Sequence, residues 1–239
     1  MANDQRRDWD RSADLQAIEA AYHEYDRAGR YRIWDPASPG YARLVESVQG
    51  SLIEQLVRAV PQADATVLDL GCGTGSLRGL ATQAGIRANW IGLDLRADAI
   101  EVALHDYPDD AFIVGSADDV PLDGGSIDVI VAKLLFISLP SAAMEGAVAS
   151  EIRRLLRPGG SLMWLDIRYS NPANPAVHGI NRRRLRHLFP DWRVDVRSAG
   201  LLPPLARRLG RSTPVTYPIL QAIPPLRSHL VGRLQLGAA

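Results

Sequence analysis

The chain has 239 residues, of which 46% are hydrophobic and 23% are charged, and this composition is that of a globular protein with a substantial core. Basic and acidic residues number 27 each, so the overall charge gives no general attraction to nucleic acid or to an anionic membrane. The single cysteine, Cys72, excludes a disulfide framework. No stretch approaches the ~20 apolar residues of a membrane span, and the first residues are unlike a secretory signal. A cytoplasmic location is therefore expected.

The first part of the chain is predicted to be helical. Residues 1 to about 12 are polar and are expected to be frayed. Apolar residues recur at three- and four-residue steps over 13–28 and over 41–60, which predicts two amphipathic helices. The aromatic stretch between them is interrupted by Pro36 and Pro39 and is predicted to be a loop.

From residue 66 onward, short apolar runs alternate with helix-like segments, which predicts a parallel sheet with crossover helices. The predicted strands are β1 at 66–70, β2 at 89–93, β3 at 111–115, β4 at 127–132 and β5 at 161–167, and the predicted helices lie at 75–84, 97–106 and 141–157. Beyond residue 170, a Pro- and Asn-rich loop is followed by a predicted helix at 180–188 and a predicted strand at 192–199. Two short helices are predicted at 203–209 and 216–224, and a last strand at 229–236.

The stretch VLDLGCGTG, residues 67–75, joins β1 to the helix that follows it. Glycine occupies every second position from Gly71 to Gly75, and a strand, a Gly-rich turn and a helix in this order bring bare backbone against a nucleotide. A dinucleotide-binding turn would have Gly or Ala at position 76, where this chain has Ser76. The pattern D-x-G-x-G-x-G resembles motif I of the class I S-adenosylmethionine (SAM) dependent methyltransferases, with a plain tight turn as the alternative.

The resemblance implies an α/β, Rossmann-like class I methyltransferase fold, with a seven-stranded, mostly parallel sheet, helices on both faces and an N-terminal helical cover. It divides the chain into that cover, 1–60, and a SAM-binding domain, 61–239, in which 171–239 extend the substrate side. The cofactor that it implies is S-adenosyl-L-methionine. The expected cofactor-binding residues are Asp69, Gly71, Cys72, Gly73, Gly75, Asp94, Leu95, Ser116, Ala117, Asp118 and Lys133.

Charged residues at the ends of the predicted strands have the most specific expected roles. Asp94 stands nineteen positions beyond Gly75, where a carboxylate accepts both ribose hydroxyls of an adenosine group; capping the next helix is the alternative. Asp69 is expected to hold the turn and to meet the cofactor's ammonium group, or to be purely structural. Lys133 is expected to meet the cofactor's carboxylate or an acidic substrate, or to extend into solvent.

The segment 115–122, GSADDVPL, resembles the G-D-A-E-x-L-P-F signature of the same methyltransferases, which meets the adenine edge. Ser116 stands where the family has aspartate, and a hydroxyl bonds the adenine amine more weakly than a carboxylate does. Asp118 is expected to compensate. No N-P-P-Y tetrad follows β4, which argues against methylation of nucleic-acid bases.

The segment 164–180 reads WLDIRYSNPANPAVHGI and resembles the pattern W-Y-D-F-R-Y-N-N-P-x-N-P-x-V-R-G-I. This pattern is that of a narrower bacterial subgroup of methyltransferases associated with cell-surface saccharide or secondary-metabolite pathways. Loops at the carboxyl ends of parallel strands line the ligand crevice. His178 is the expected general base, because imidazole titrates near neutral pH, and His23 is its rival. The expected acceptor-binding residues are Asp166, Arg168, Tyr169 and Asn171, together with Tyr31 and Trp34 from the aromatic loop.

Together, these patterns predict a SAM-dependent methyltransferase that moves a methyl group to a hydroxyl oxygen of a small metabolite, a saccharide or a natural product, without a metal. The alternatives are N- or C-methylation of a small molecule, a non-catalytic SAM-binding protein and a nicotinamide-dependent oxidoreductase. The expected partner is a small-molecule acceptor, with neither nucleic acid nor membrane, and the sequence leaves a homodimer open.

Overall fold

A computed structural model describes residues 9–27, 38–60, 64–170 and 178–236 of the chain. The expectations for Tyr31, Trp34 and Asn171 lie outside these residues. The helices are α1 Arg11–Arg27, α2 Pro39–Ala59, α3 Ser76–Gln83, α4 Ala97–Asp106, α5 Ala142–Leu155, α6 Arg182–Leu188, α7 Pro203–Arg208 and α8 Thr213–Ala222, with 3-10 turns at Phe136–Ser138 and Pro224–Leu226. The strands are β1 Thr66–Leu70, β2 Asn89–Asp94, β3 Ala111–Val114, β4 Ile127–Lys133, β5 Leu156–Ile167, β6 Trp192–Leu201 and β7 Arg227–Leu236.

The described strands form one seven-stranded sheet in the order β3-β2-β1-β4-β5-β7-β6. Strands β1 to β5 run parallel, and β7 is antiparallel to both of its neighbours. The start of β7 therefore lies beside the end of β5, with His229 opposite Ile167. We call the side of the sheet formed by the carboxyl ends of β1–β5 and the start of β7 the carboxyl edge. The expected mostly parallel, Rossmann-like sheet is confirmed.

Helices cover both faces of the sheet because the central strands are apolar on both sides. In β1, Leu68 belongs to one core cluster and Val67, which points the other way, belongs to the second. The first cluster includes residues of α1, α5 and α6, and the second includes residues of α2, α3, α7 and α8. Continuous apolar runs are typical of parallel strands that are buried on both faces.

Several element boundaries differ from the expectations, and specific contacts explain two of the differences. Helix α1 begins at Arg11, inside the segment expected to be frayed, and Trp9 Nε1 stabilises its first turn by donating to Asp14 Oδ2 at 2.7 Å. Strand β5 begins at Leu156 rather than at 161, because Leu156 pairs with Ile127 ahead of an irregularity in the β4–β5 register.

The inner side of helix α8 fastens it to the second face of the sheet. The buried Tyr217 hydroxyl accepts a hydrogen bond from Leu201 N, at 3.2 Å. Gln221 Nε2 donates to Ser47 Oγ of α2 at 3.0 Å, and Thr213 at the start of the helix is buried. Helix α8 is therefore a fixed outer layer beside α2 and the end of β6.

Replacing Tyr217 by phenylalanine removes the acceptor of the buried Leu201 amide. We expect Tyr217→Phe to lower the free energy of unfolding by about 1–3 kcal/mol, measured by urea denaturation. Tyr169→Phe is the control: its side chain is 37% exposed and its hydroxyl serves a surface carbonyl, so the expected change is within about 0.5 kcal/mol. Equal losses of unfolding free energy in the two variants would contradict the interpretation that the buried Tyr217 hydrogen bond stabilises the fold.

Candidate functional site

The glycine turn after β1 is tied to the end of β2. Gly71 N and Cys72 N both donate to Leu93 O, at 2.8 and 3.0 Å. Gly71, Gly73 and Gly75 have φ angles of 79°, 53° and 75°, in the left-handed region that glycine enters without strain. A Cβ added at Gly73 would meet nothing within 4 Å, so the main chain is open at this residue. A ligand can therefore approach the main chain closely here.

Asp94, the last residue of β2, holds the same turn with its side chain. It is 9% exposed; Oδ2 accepts from Gly73 N at 2.8 Å and Oδ1 accepts from Arg96 N at 3.0 Å. The N-cap of α4 is Arg96, so the alternative that Asp94 caps this helix is wrong. A carboxylate has about four lone-pair sites, so Asp94 keeps acceptor capacity for a ligand.

Asp69, near the end of β1, is fully buried, and neither carboxylate oxygen has a hydrogen-bond donor within the described residues. Burial raises its pKa to about 7, while Lys133 opposes that rise and Asp94 adds to it. Lys133 Nζ donates to Ser76 Oγ at 3.1 Å. Burial also raises the pKa of the Cys72 thiol, which stays protonated. Because a buried carboxylate without a donor is unfavourable, this arrangement favours a cationic ligand group near Asp69.

In the segment after β3, the Asp118 carboxylate is occupied by hydrogen bonds from Ser116 and from Arg11 of α1. Ser116 Oγ donates to Asp118 Oδ1, and Arg11 Nε donates to Asp118 Oδ2 at 2.5 Å. Burial acts to raise the pKa of Asp118, but the hydrogen bonds from Arg11 and Ser116 outweigh it and lower the pKa. Leu95 and Ala117 pack with the first core cluster. Asp118 is thus committed to Arg11 and is not the free acceptor that was expected to compensate for Ser116.

Helix α1 spans three loops at the carboxyl edge. Arg11 binds the loop after β3, and Asp14 accepts a hydrogen bond from Ser141 Oγ, just ahead of α5. The guanidinium of Arg96, in the loop after β2, lies 5.2 Å from the centroid of the Tyr22 ring. The N-terminal helix therefore lies across the ends of the strands that carry the glycine turn and Asp94.

Asp166 lies at the end of β5 but faces the interior. It is 1% exposed; Oδ2 accepts from Phe136 N at 3.0 Å and Ile137 N at 3.3 Å, and Oδ1 accepts from Ile167 N at 2.8 Å. Burial raises its pKa to about 8, against the effect of these amide bonds. The structure thus corrects the expectation that Asp166 faces an acceptor, since its oxygens are engaged in holding the turn after β4.

Arg168 and Tyr169 hold the turn that precedes β7. Arg168 Nη1 donates to Pro224 O at 3.3 Å, and the Tyr169 hydroxyl donates to Pro225 O at 2.9 Å. The Arg168 guanidinium also lies 4.5 Å from the centroid of the Tyr169 ring. Both side chains are therefore at the carboxyl edge, on the side of α8.

The two candidate bases lie on different elements. His178 is exposed and lies two residues before Ile180, whose N donates to the last residue of β5 at 2.8 Å. Glu145 is 1% exposed and accepts two bonds from Arg184, at 2.8 and 2.6 Å. Burial raises the pKa of Glu145, while Arg184 and His178 act in the opposite direction, so His178 is within electrostatic reach of this carboxylate. His23 is exposed on α1.

Sequence comparisons identify the central part of the chain. Residues 68–164 match a family model described as a methyltransferase domain. The chain is 33% identical over 127 residues to phthiotriol/phenolphthiotriol dimycocerosates methyltransferase of Mycobacterium leprae, covering 51% of this chain and 45% of that protein. It is 30% identical over 147 residues to malonyl-[acyl-carrier protein] O-methyltransferase of Pectobacterium atrosepticum, covering 60% and 54%. The chain thus spans about half the length of the curated relatives it matches.

A solved structure extends the likeness to nearly the whole chain. The 1,6-didemethyltoxoflavin-N1-methyltransferase of Burkholderia thailandensis, with bound 1,6-didemethyltoxoflavin and S-adenosylhomocysteine, has a TM-score of 0.68 at 15% identity, covering 96% of this chain and 92% of that one. This likeness shows the fold. Residues 68–164 are therefore assigned to a SAM-dependent methyltransferase domain. The class I resemblance and S-adenosyl-L-methionine as its cofactor are confirmed. The individual cofactor contacts, from Asp69 to Lys133, stay predictions.

Three features at the carboxyl edge of the methyltransferase domain were absent from the sequence expectations. Leu134 has a φ of 57° and donates its N–H to Leu165 O at 2.7 Å, and no sequence signal marks this conformation. His229 Nδ1 lies 2.7 Å from Ser228 Oγ, and burial lowers the pKa of His229 to about 4, so the ring is neutral. Glu145 could have been found from the sequence, because it is an acidic residue among the apolar residues of the buried face of α5.

Other kinds of site receive little support. A polar cleft of about 270 Å³ lies at the amino ends of the parallel strands, away from the glycine turn, and is lined by Gln55, Arg58, Arg193, Asp195, Arg233 and Gln235. In the described ranges, no group of three or more His, Cys, Asp or Glu side chains is placed to hold a metal ion. Nor does the described part of the chain contain a helix that is long and apolar enough to cross a membrane.

The unpartnered Asp69 carboxylate predicts a pH-dependent stability of the ligand-free domain. Folding raises its pKa from 3.8 to about 7, so the stability associated with its protonated form is lost as the pH rises through about 7. Asp69→Asn removes this loss, and we expect its stability relative to wild type to grow from about pH 4 to pH 7, by on the order of 3 kcal/mol. The measurement is thermal unfolding as a function of pH. The exposed Asp109→Asn is the control, and a difference that does not change with pH would contradict the interpretation.

Proposed function

We propose that this chain transfers the methyl group of S-adenosylmethionine to a hydroxyl oxygen of a small molecule, a saccharide or a natural product, without a metal ion. The observation that carries the proposal is the pairing of an open glycine turn with a buried, unpartnered carboxylate, Asp69. A ligand that combines a cationic group with a polar nucleoside satisfies both features. We further propose the division into a cover, 1–60, and a SAM-binding domain, 61–239.

The residues at the carboxyl edge fit the cofactor. Asp69 would receive its ammonium group, and the spare acceptor capacity of Asp94 would receive the ribose hydroxyls. The open space at Gly73 would admit the cofactor against the main chain. When bound, S-adenosylmethionine supplies a methyl group on a positively charged sulfur, which makes the methyl carbon electrophilic.

The remaining requirements fall on the protein. Helix α1 covers the strand ends and would exclude water from the reacting groups. Holding two reactants in line can account for ~7–11 kcal/mol of a barrier, so positioning is the main contribution asked of the fold. His178 would accept the proton of the acceptor hydroxyl.

A specific comparison supports N-methylation as the second candidate. The structural relative that covers 96% of this chain is named as an N1-methyltransferase, and its bound 1,6-didemethyltoxoflavin is a small molecule. The malonyl-[acyl-carrier protein] relative is named as an O-methyltransferase. Isotopic labelling of the transferred methyl group distinguishes oxygen from nitrogen as the acceptor atom of this chain.

The cofactor contacts are tested by substitution at Asp94. We expect Asp94→Ala to weaken S-adenosylhomocysteine binding by roughly 1.5–3 kcal/mol, the range for hydrogen bonds to a charged group. Isothermal titration calorimetry measures the change. Asp98→Ala is the matched control, because Asp98 follows the same strand but is exposed and paired with Arg96. Unchanged affinity in Asp94→Ala would remove Asp94 from the cofactor site.

Methyl transfer is tested with cell extract, the protein and S-adenosylmethionine carrying an isotopically labelled methyl group. Mass spectrometry reports the labelled acceptor and the atom that carries the label. A label on oxygen supports the proposal, and a label on nitrogen supports the second candidate. Cofactor binding without transfer to any acceptor would contradict both and indicate a non-catalytic SAM-binding protein.

His178→Asn tests the general base with the acceptor so identified. We expect kcat to fall by roughly 100-fold or more, with S-adenosylhomocysteine affinity unchanged, because a positioned base contributes 10²–10⁴-fold. His187→Asn is the control, since His187 is another exposed histidine, on α6. A fully active His178→Asn would eliminate this residue as the base.

A further inference from the structure

The outer face of helix α8 is apolar along its whole length. Its spacing follows the helical repeat: Val215, Ile219 and Ile223 are four residues apart and are 67%, 61% and 45% exposed. The other exposed residues on this face are Pro214, Pro218 and Ala222. We call these six residues the α8 stripe. The opposite face of α8, which carries Tyr217, is already packed against the protein core, so the stripe is a second, outward-facing apolar surface of the helix.

The stripe is unusual for a surface helix. Residues 212–226 contain no charged residue and no histidine, although the outer face of a surface helix ordinarily carries polar side chains. Single exposed apolar residues elsewhere, such as Val57 and Val102, need no explanation. A contiguous exposed apolar patch marks an interaction surface.

The C-terminal part of the chain, which contains the stripe, has charged residues of one sign. Residues 196–239 contain six arginines and no aspartate or glutamate, so the balanced chain divides into a C-terminal part of net charge +6 and a remainder of −6. Arg208 and Arg211, just before α8, are exposed, and their side chains make no hydrogen bond or ion pair with any part of the chain that the structure describes. These two exposed arginines beside the stripe suit an anionic partner.

We propose that the α8 stripe docks on the surface of an anionic lipid bilayer. A convex helix face of valine, isoleucine, alanine and proline lacks the aromatic anchors and hydrogen-bonding groups that dominate protein–protein interfaces. It suits the boundary between headgroups and acyl chains, into which an interfacial helix inserts its apolar side. Arg208 and Arg211 at the end of the stripe would meet the anionic headgroups.

The position of the stripe relates this surface to the carboxyl edge. The turn after α8 accepts hydrogen bonds from Arg168 and Tyr169, which follow β5, at Pro224 O and Pro225 O. A bilayer against the stripe would lie on the side of the sheet where β5 ends. The proposal rests on exposure and charge and does not depend on the reaction that the domain catalyses.

The test is co-sedimentation of the full chain with phosphatidylcholine vesicles, with and without phosphatidylglycerol. We expect binding to the anionic vesicles that weakens as salt is added, and little binding to phosphatidylcholine alone. The double variant Val215→Ser, Ile219→Ser should lose at least about tenfold in affinity, and Arg208→Gln and Arg211→Gln about fivefold each. Val102→Ser on α4 is the matched control, because Val102 is also exposed but lies outside the stripe.

Thermal unfolding first establishes that each variant is folded, which is expected since the changed side chains are exposed. Binding that survives the double variant, or no binding to either vesicle, would overturn the proposal. Analytical ultracentrifugation over a range of concentrations adds a second outcome. Self-association that the double variant abolishes, without vesicle binding, would assign the stripe to a second copy of the chain instead.

Discussion

The hydrogen bond from Gly73 N to the Asp94 carboxylate is the contact on which the site depends. Together with the bonds from Gly71 and Cys72 to Leu93 O, it uses the amide groups of the glycine turn to fasten that turn to β2. These amides are then unavailable to Asp69, which the parallel register places in the adjoining strand, opposite Gly92. The same geometry that opens the turn to a ligand therefore leaves a buried carboxylate without a donor, and the ligand must supply the compensating charge.

Much of the fold was predictable from the sequence, because the central strands are short apolar runs covered on both faces. The bounds expected for β1 and α4 agree with the structure, and those for β2 and β4 differ by one residue. The errors fall where an element depends on distant contacts or unusual residues. Strand β5 continues through Pro158 and Gly159 because it pairs with the start of β4. Helix α8 begins earlier than expected, at Thr213, because Pro214 is tolerated in a first helical turn.

The candidate site was predictable only where it follows from strand order. The glycine turn and Asp94 end neighbouring parallel strands, so their meeting could be anticipated. The direction of the Asp166 side chain could not be anticipated, since two of its three amide partners lie about thirty residues away. The ion pair between Arg11 and Asp118 joins residues 107 positions apart, which periodicity and spacing cannot show. The roles of His178 and His23 as bases remain predictions, because both residues are exposed and lie on different elements.

Helix α1 is attached to the carboxyl edge by a small number of polar contacts. The helix is held across the strand ends by an ion pair to Asp118, a hydroxyl bond to Asp14 and the contact between Arg96 and Tyr22. The side chain of Arg11 is 42% exposed and that of Asp118 is 3% exposed, so dissolved ions reach the pair from the Arg11 side and weaken it in part. If S-adenosylmethionine binds beneath α1 as proposed, its entry and departure would therefore quicken as ionic strength rises.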